Sequence, residues 1–423
     1  MNDQTRSGEQ PSARAGEPEH PYWKRNLAVG VGGSFTTLIA MTLLLPYLPL
    51  YIEQLGVTGQ ARVTSWAGIT YSATFVTAGL TAPIWGRLGD RYGRKSMLVR
   101  ASLGMAIVMS AIGLAQDQWQ LLGLRLIVGL LGGYSSGATI LVAAQAPERR
   151  RAWALGVLSS GIMAGNIAGP LLGGIAPALI GIRNTFFGSG ALIFLAFLAT
   201  VFLIKEDRTA RPAAKSEAVK PSWADVPDKP LVLAMLGMSV ILMIATLSVE
   251  PIVTVYVRAL TGSVAGLSVI SGVVFALSAA GSIISAPWLG RLADRVGRLP
   301  VLVGCLTAAA ILLGLQALAG NIWVFGVLRF AMGLALGGLM PTVTATLRSS
   351  LPDRVVGRVL GYNVSAQYVG QVIGPILGGF AGGHFGIPSV FVATAVLALI
   401  GAGGAYSIHR SHSVGALSLS KRT

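Results

Sequence analysis

Apolar residues run along this chain in long blocks separated by short polar or basic segments, with little of the alternation that marks a half-buried strand. Measured against the ~20 residues needed to cross a bilayer core, the blocks at 27–50, 66–86, 97–115, 120–143, 153–178, 185–204, 231–256, 267–289, 300–319, 322–347, 358–382 and 388–408 predict twelve membrane-spanning helices. The intervening pattern predicts a polar tail over 1–26, two six-helix halves over 27–204 and 231–408, a hydrophilic linker over 205–230 and a short tail over 409–423. Nothing apolar precedes Leu27, so the opening residues do not read as a signal peptide. The expected fold class is an all-α integral membrane protein.

The halves repeat one another. The segment Ala82 to Arg94 (APIWGRLGDRYGR) returns as Ala286 to Arg298 (APWLGRLADRVGR), with nine of thirteen positions identical at an offset of 204. The same offset takes Arg125 to Arg329 and Gly129 to Gly333, and an offset of 205 takes Gly169-Pro170 to Gly374-Pro375. Two six-span copies in parallel orientation form a transporter plan whose solute site lies between the halves near the bilayer midplane.

Composition sharpens this picture. Of 423 residues 53% are hydrophobic and 11% charged, against about a quarter charged in soluble chains, so most of the surface does not face water. The net charge of +16 would suit a nucleic-acid partner, but the bases sit in short clusters between spans. With the termini placed in the cytoplasm, 27 Lys and Arg fall in inner segments, three (Arg62, Arg183 and Arg258) in outer loops, and Arg125 and Arg329 within spans. Basic loops stay inside, so both termini are expected to be cytoplasmic and nucleic acid is excluded as a partner. Cys305 is the single cysteine and His20, His384, His409 and His412 fall in tails or loops, which leaves no disulfide framework or metal constellation. There is no GxxxxGK[ST] phosphate loop and no catalytic triad, so no enzyme chemistry or cofactor is expected, and transport must draw on a gradient.

At Gly86 to Lys95 (GRLGDRYGRK) the chain resembles the loop signature between spans two and three of the major facilitator superfamily, and Gly290 to Arg298 resembles its second copy. Arg125 in LRLIVGLLGG resembles the fourth-span motif, and Gly165 to Gly174 (GNIAGPLLGG) the fifth-span motif associated with exporters. The whole chain is similar to multidrug-resistance exporters of the drug:proton antiporter group in bacterial inner membranes. That resemblance implies twelve helices in two rocking halves, a drug-like substrate, protons as coupling ion and a monomer in the bilayer. It also implies a part for Arg125 in proton coupling and a cytoplasmic latch at Gly86, Asp90, Arg91, Arg94 and Asp294.

Physically, Asp90 can cap a neighbouring helix N-terminus and pair with a neighbouring Arg, holding one half against the other. Topology alone needs neither an acid nor Gly86. Gly161, Gly165, Gly169 and Gly173 recur every four residues in the fifth span, as do Gly370, Gly374, Gly378 and Gly382 in the eleventh. Such faces let helices approach closely, either to slide or simply to pack, and Pro170 and Pro375 bend them.

Ionisable groups within a bilayer are costly, so each is a functional candidate. Of sixteen acids only Glu250 falls within a span, on a stripe with Ser239, Met243, Thr246 and Thr254. It is a candidate carrier of a coupling proton or counter-charge for a cationic drug, or else a hydrated charge at the outer rim; the repeat pairs it with Leu45, so the first half has no matching acid. Arg125 and Arg329 form a repeat-related pair able to hold carbonyls, a carboxylate or an anionic solute. Tyr71, Tyr134, Asn166, Tyr256, Asn363, Gln367 and Gln371, with Thr246 and Arg329, are the candidate cavity lining, suited to an amphipathic organic solute. The expected function is export of amphipathic small molecules by proton antiport. The alternatives are an importer of a small organic solute, such as an anion held by the two arginines, or a transporter-like sensor.

Overall fold

A computed structural model describes residues 21–206, 223–262 and 266–420, the side chains of Ala224 and of 411–420 excepted. The sequence reading of the tail over 1–20 and of the linker interior therefore lies outside the described residues. Among the described residues every regular element is helical. The first rod joins α1 (Trp23–Thr42) through a 3-10 turn at Leu45–Tyr47 to α2 (Leu48–Gln54); Pro46 and Pro49 remove the N–H groups that would have continued it. Then come α3 (Gln60–Tyr92) and α4 (Arg94–Ile112), followed by a rod in two pieces, α5 (Gln118–Leu131) and α6 (Tyr134–Gln145). The first half closes with α7 (Arg151–Ile180) and α8 (Ile182–Leu203).

The second half repeats the order. Its first rod is again divided, into α9 (Lys229–Leu247) and α10 (Glu250–Thr261), and is followed by α11 (Leu267–Val296) and α12 (Arg298–Ala317). Next are α13 (Ile322–Leu336) and α14 (Leu339–Ser349), then α15 (Asp353–His384) and α16 (Ile387–Ser420). Among the described residues ten helical segments are long and apolar enough to cross a membrane. The exceptions among the long helices, α3 and α15 at 33 and 32 residues, are more polar, and they pack on one another. A helix turned toward a partner helix and a cavity carries less lipid-facing surface and needs fewer apolar residues.

Within each half the glycine ridges bring helices together: Gly165 and Gly173 of α7 lie against the backbone at Phe35 and Leu43, and Gly370 and Gly378 of α15 against Val240 and Ser248. These ridges are intra-half joints. Gly169 belongs to the same joint, facing Ile39 and Thr42. The halves touch along two other crossings, α3 with α15 and α7 with α11. There the glycines are different ones: a Cβ on Gly174 would stand 2.7 Å from the Ser268 carbonyl oxygen, and one on Gly272 2.5 Å from that of Pro170.

Both crossings lie toward the end of the molecule away from the chain's N-terminal helix start. Gly383 of α15 meets Ala61 of α3, Ser72 Oγ donates to the Val372 carbonyl, and Gly79 meets Tyr368. Beyond Gly79 the two helices carry no close contact of this kind toward Tyr92 and Asp353. At the closed end Thr254 Oγ1 donates to the Pro46 carbonyl at 3.0 Å, and Arg258 makes two parallel hydrogen bonds of 2.8 Å to the Glu53 carboxylate. The structure is thus shut at one end and open at the end carrying the basic loops.

Candidate functional site

Helix breaks shape the space between the halves. Gly132 is extended and Gly133 left-handed at φ 102°, a conformation a side chain would strain, so α5 stops and α6 restarts in mid-rod. The freed carbonyls are taken by side chains of the same half: Trp85 Nε1 donates to Leu130 and Arg100 Nη2 to Gly132. In the second half Ser248 and Val249 interrupt the rod, and Glu250 opens α10 with Pro251 behind it. An acid in a first helical turn lies at the positive end of the helix dipole.

A cavity of about 390 Å³ lies between the halves. Glu250, Arg329, Tyr71, Asn166 and Thr246 all line it, together with Thr42, Leu45 and Pro170 from the first half. Tyr71, carried by α3 of the first half, and Arg329 of α13 both lie within electrostatic reach of the Glu250 carboxylate. Glu250 is partly exposed to the cavity, and its Oε2 has no hydrogen-bond partner among the described residues. The acid therefore stands in the cavity wall, not as a charge on an outer rim. Of its expected stripe, Thr246 shares the cavity, whereas Ser239 is turned to Asn363 and Thr254 to Pro46.

Arg125 is buried at 1% exposure, and neither Nε nor Nη1 has a partner among the described residues. It lies within electrostatic reach of Tyr71 and of Tyr47, whose hydroxyl is likewise without one. A guanidinium buried without a carboxylate is a costly arrangement that ordinary packing does not require. Arg125 and Tyr71 belong to one half, Glu250 and Arg329 to the other, so the cluster spans the interface between the halves.

A second cavity of about 240 Å³ lies beside the first, between helices α1, α3 to α6 and α15. Gln367, Gln371 and the Tyr134 ring line it. The Tyr134 hydroxyl is engaged elsewhere, 2.8 Å from Thr200 Oγ1. The single lining expected from sequence is thus divided between two chambers, and two of its members belong to neither. Tyr256 is packed among Phe325 and Phe391 with its hydroxyl donating to the Gln316 and Ala319 carbonyls. Asn363 is buried, accepting from Ser239 Oγ at 2.6 Å and reaching Thr344. Both are internal braces.

The signature loop is disengaged from the opposite half. Asp90 is 70% exposed and paired with Arg94 one turn on, Arg91 lies over the Tyr92 ring, and both Asp294 and Gly86 face open space. The helix cap expected of Asp90 is made instead by Glu206, whose two oxygens accept the backbone N–H groups of Arg94 and Lys95 at 2.8 Å each. Sequence reasoning placed Glu206 in the linker; the uncapped basic start of α4 was the signal that an acid was needed there.

Comparison with known proteins agrees with this architecture. The family model described as Major Facilitator Superfamily matches residues 31–281 and 251–416. The chain is 41% identical over 329 residues to the "Multidrug resistance protein MdtG" of Proteus mirabilis (strain HI4320), spanning 77% of this chain and 81% of that protein. It is 42% identical over 327 residues to the protein of the same name from Enterobacter lignolyticus (strain SCF1), spanning 77% and 78%. Among solved structures it resembles a bacterial homologue of the human lysosomal transporter Spinster in an inward-facing and occupied conformation, with TM-score 0.73, 16% identity and coverage of 93% and 98%. It also resembles the nucleoside transporter NupG, with TM-score 0.68, 13% identity and coverage of 90% and 99%. With two helical bundles repeated in parallel around a shared cavity and a family match over most of its length, the chain belongs to the major facilitator superfamily.

Proposed function

We propose that the protein is a secondary transporter of the bacterial inner membrane that exports amphipathic small molecules in exchange for protons. The observation that carries this reading is the Glu250, Tyr71 and Arg329 cluster in the cavity wall, a titratable acid within electrostatic reach of groups from both halves. The relatives named for multidrug resistance support the direction of transport and the drug-like substrate. With α3 and α15 spanning the bilayer as well, there are twelve crossings and both termini lie in the cytoplasm. The open end is then cytoplasmic and the conformation inward-facing.

The cycle follows from geometry. In the inward-facing form an ionised Glu250 accepts the hydroxyl of Tyr71, which ties the halves together beneath the closed outer end, and attracts Arg329 of its own half. Substrate enters from the cytoplasmic side, and rocking closes that side and opens the outer one. Protonation of Glu250 from outside then removes the acceptor charge that Tyr71 and Arg329 shared, which lowers the cost of returning the empty carrier through the closed form. On the inner side the proton is released and the cluster re-forms. Arg125, within electrostatic reach of Tyr71, supplies positive charge that favours release.

Transport in everted vesicles under an acid-inside gradient tests this directly. Export from cells becomes accumulation in everted vesicles, and a fluorescent cationic dye and an uncharged drug are followed with native chain, Glu250→Gln and Arg125→Ala. Gradient-dependent accumulation by the native chain that both variants lose is expected. Accumulation under the opposite gradient would establish the importer reading, and binding without turnover in either direction would establish a sensor.

A further inference from the structure

The two cavities are related in part by the repeat, although the repeat-related pairs Leu45 and Glu250, and Tyr71 and Phe275, line the first together, so that it reaches across the axis. The internal repeat carries part of the walls of the first onto the walls of the second: at an offset of 204 Ser278 maps to Thr74, Ser282 to Ala78 and Gly337 to Gly133, and at 205 Asn166 maps to Gln371. Each cavity is therefore built by the second and fourth rods of one half with the fifth rod of the other. A pseudo-twofold axis generates two related pockets from one design, as an isologous interface does.

Their chemistry has diverged. The first holds Glu250 and Arg329, and where the repeat places a matching acid in the first half the chain has Leu45. Among the described residues the second is lined by no Asp, Glu, Lys, Arg or His. The arginine that would correspond to Arg329 is Arg125, which is buried and does not line the second chamber. What the second chamber offers is two amides, Gln367 and Gln371, and the neutral hydroxyl residues Thr37, Ser135 and Ser136, set among apolar groups such as Phe75 and Met105. Both amides stand one turn apart on α15, with a donor and an acceptor each. An apolar pocket with a few convergent neutral hydrogen-bonding groups recognises an uncharged aromatic molecule, and it excludes a bare ion, which it could not desolvate at acceptable cost.

We propose that the 240 Å³ chamber is a second binding site, for the uncharged, hydrogen-bonding aromatic portion of a substrate, separate from the charged chamber that handles the proton. This rests on the reading of the protein as a drug transporter. It means that substrate and proton occupy two repeat-related pockets and communicate through α1 and α3, whose residues Met41 and Thr42, Tyr71 and Thr74 divide between the chambers. An uncharged substrate then need not displace the proton in order to be carried.

The test is equilibrium binding of radiolabelled chloramphenicol, an uncharged aromatic amide with two hydroxyls, to the purified full chain in lipid nanodiscs at pH 6 and pH 8. Ala78→Phe fills the second chamber, Gln371→Leu removes an amide, and Ser282→Phe puts the same bulk into the first chamber at the repeat-related position. Expected is a saturable site in the native chain with the same Kd at both pH values, weakened at least about tenfold by Ala78→Phe and by Gln371→Leu but less than about threefold by Ser282→Phe. Native elution volume and thermal midpoint in Ala78→Phe and Gln371→Leu show that their loss of binding is not a loss of fold. Loss of binding in Ser282→Phe with normal binding in the second-chamber variants overturns the proposal, as does the absence of saturable binding by the native chain. Failure of gradient-driven export with second-chamber binding intact would strike the proposed function and leave this site standing. Export that persists while binding ignores both Ala78→Phe and Gln371→Leu would do the reverse.

Discussion

The two halves of this protein share a backbone design and differ in what they place at matching positions. At the closed end Tyr51 and Tyr256 are related by an offset of 205, as are Phe186 and Phe391, and they do the same work. Tyr51 packs on Phe186 and donates to the Ile112 carbonyl; Tyr256 packs on Phe391 and donates to those of Gln316 and Ala319. Elsewhere the halves part company. Leu45 faces Glu250 across the repeat, and Glu53 faces Arg258. Packing positions are held alike because both bundles need the same joint, while divergence is concentrated where the halves meet. Glu53 and Arg258 show why: equivalent positions that lie on a pseudo-twofold axis contact each other, so two copies of either residue would repel. One acid and one base convert a repulsion into the paired bonds observed.

The largest effect expected concerns the asymmetric acid. Glu250→Gln abolishes gradient-driven accumulation in everted vesicles, and Leu45→Glu alone does not restore it in that background, because Tyr71 and Arg329 are within reach of the Glu250 carboxylate, whereas Leu45, though it lines the same cavity, stands on the other half. Restoration by Leu45→Glu would show that the halves are interchangeable and would dissolve the comparison. Next is the axial pair. Arg258→Glu sets two carboxylates against each other and slows transport about tenfold, while the exchanged pair Glu53→Arg with Arg258→Glu returns it to within about twofold of native. Initial transport rates read both, and equal impairment in the single and exchanged variants would remove the pair from the gate.

Smaller effects follow at the braces. Glu206→Gln weakens the cap of α4 and lowers stability by about 1 kcal/mol, read as a fall in thermal midpoint in detergent, with no change in substrate affinity. Tyr256→Phe deletes a buried hydrogen bond at a cost of about 1 kcal/mol and likewise leaves affinity unchanged. A weakened affinity in Tyr256→Phe would return that residue to the binding site.

The spans, the repeat and the family signature were legible in sequence because hydrophobicity, residue spacing and motif identity are properties of a line. Glu250 was legible for a related reason, as the one acid inside an apolar block. What could not be read are properties that depend on two lines meeting. Asn363 and Tyr256 looked like cavity residues, since an amide or a phenol in mid-span needs a partner, but Ser239 and the Gln316 carbonyl supply those partners from other helices. The split of the lining into two chambers follows from where Gly132, Gly133, Ser248 and Val249 break their rods, and neither break is marked by proline at the broken residue. The spacing of the α7 glycines marks a face for close approach, yet only the structure shows that its partner is α1, within the half. The repeat itself held a signal for the Glu53 and Arg258 pair: opposite charges at equivalent positions near a predicted axis.

The central claim is that Glu250 carries the proton while substrate binding stands apart from it. Drug exchange and gradient-driven accumulation measured in the same vesicles separate these steps, because exchange of labelled for unlabelled drug needs no net proton movement. The account predicts that Glu250→Gln retains exchange and loses accumulation. Accumulation at the native rate in Glu250→Gln would contradict it.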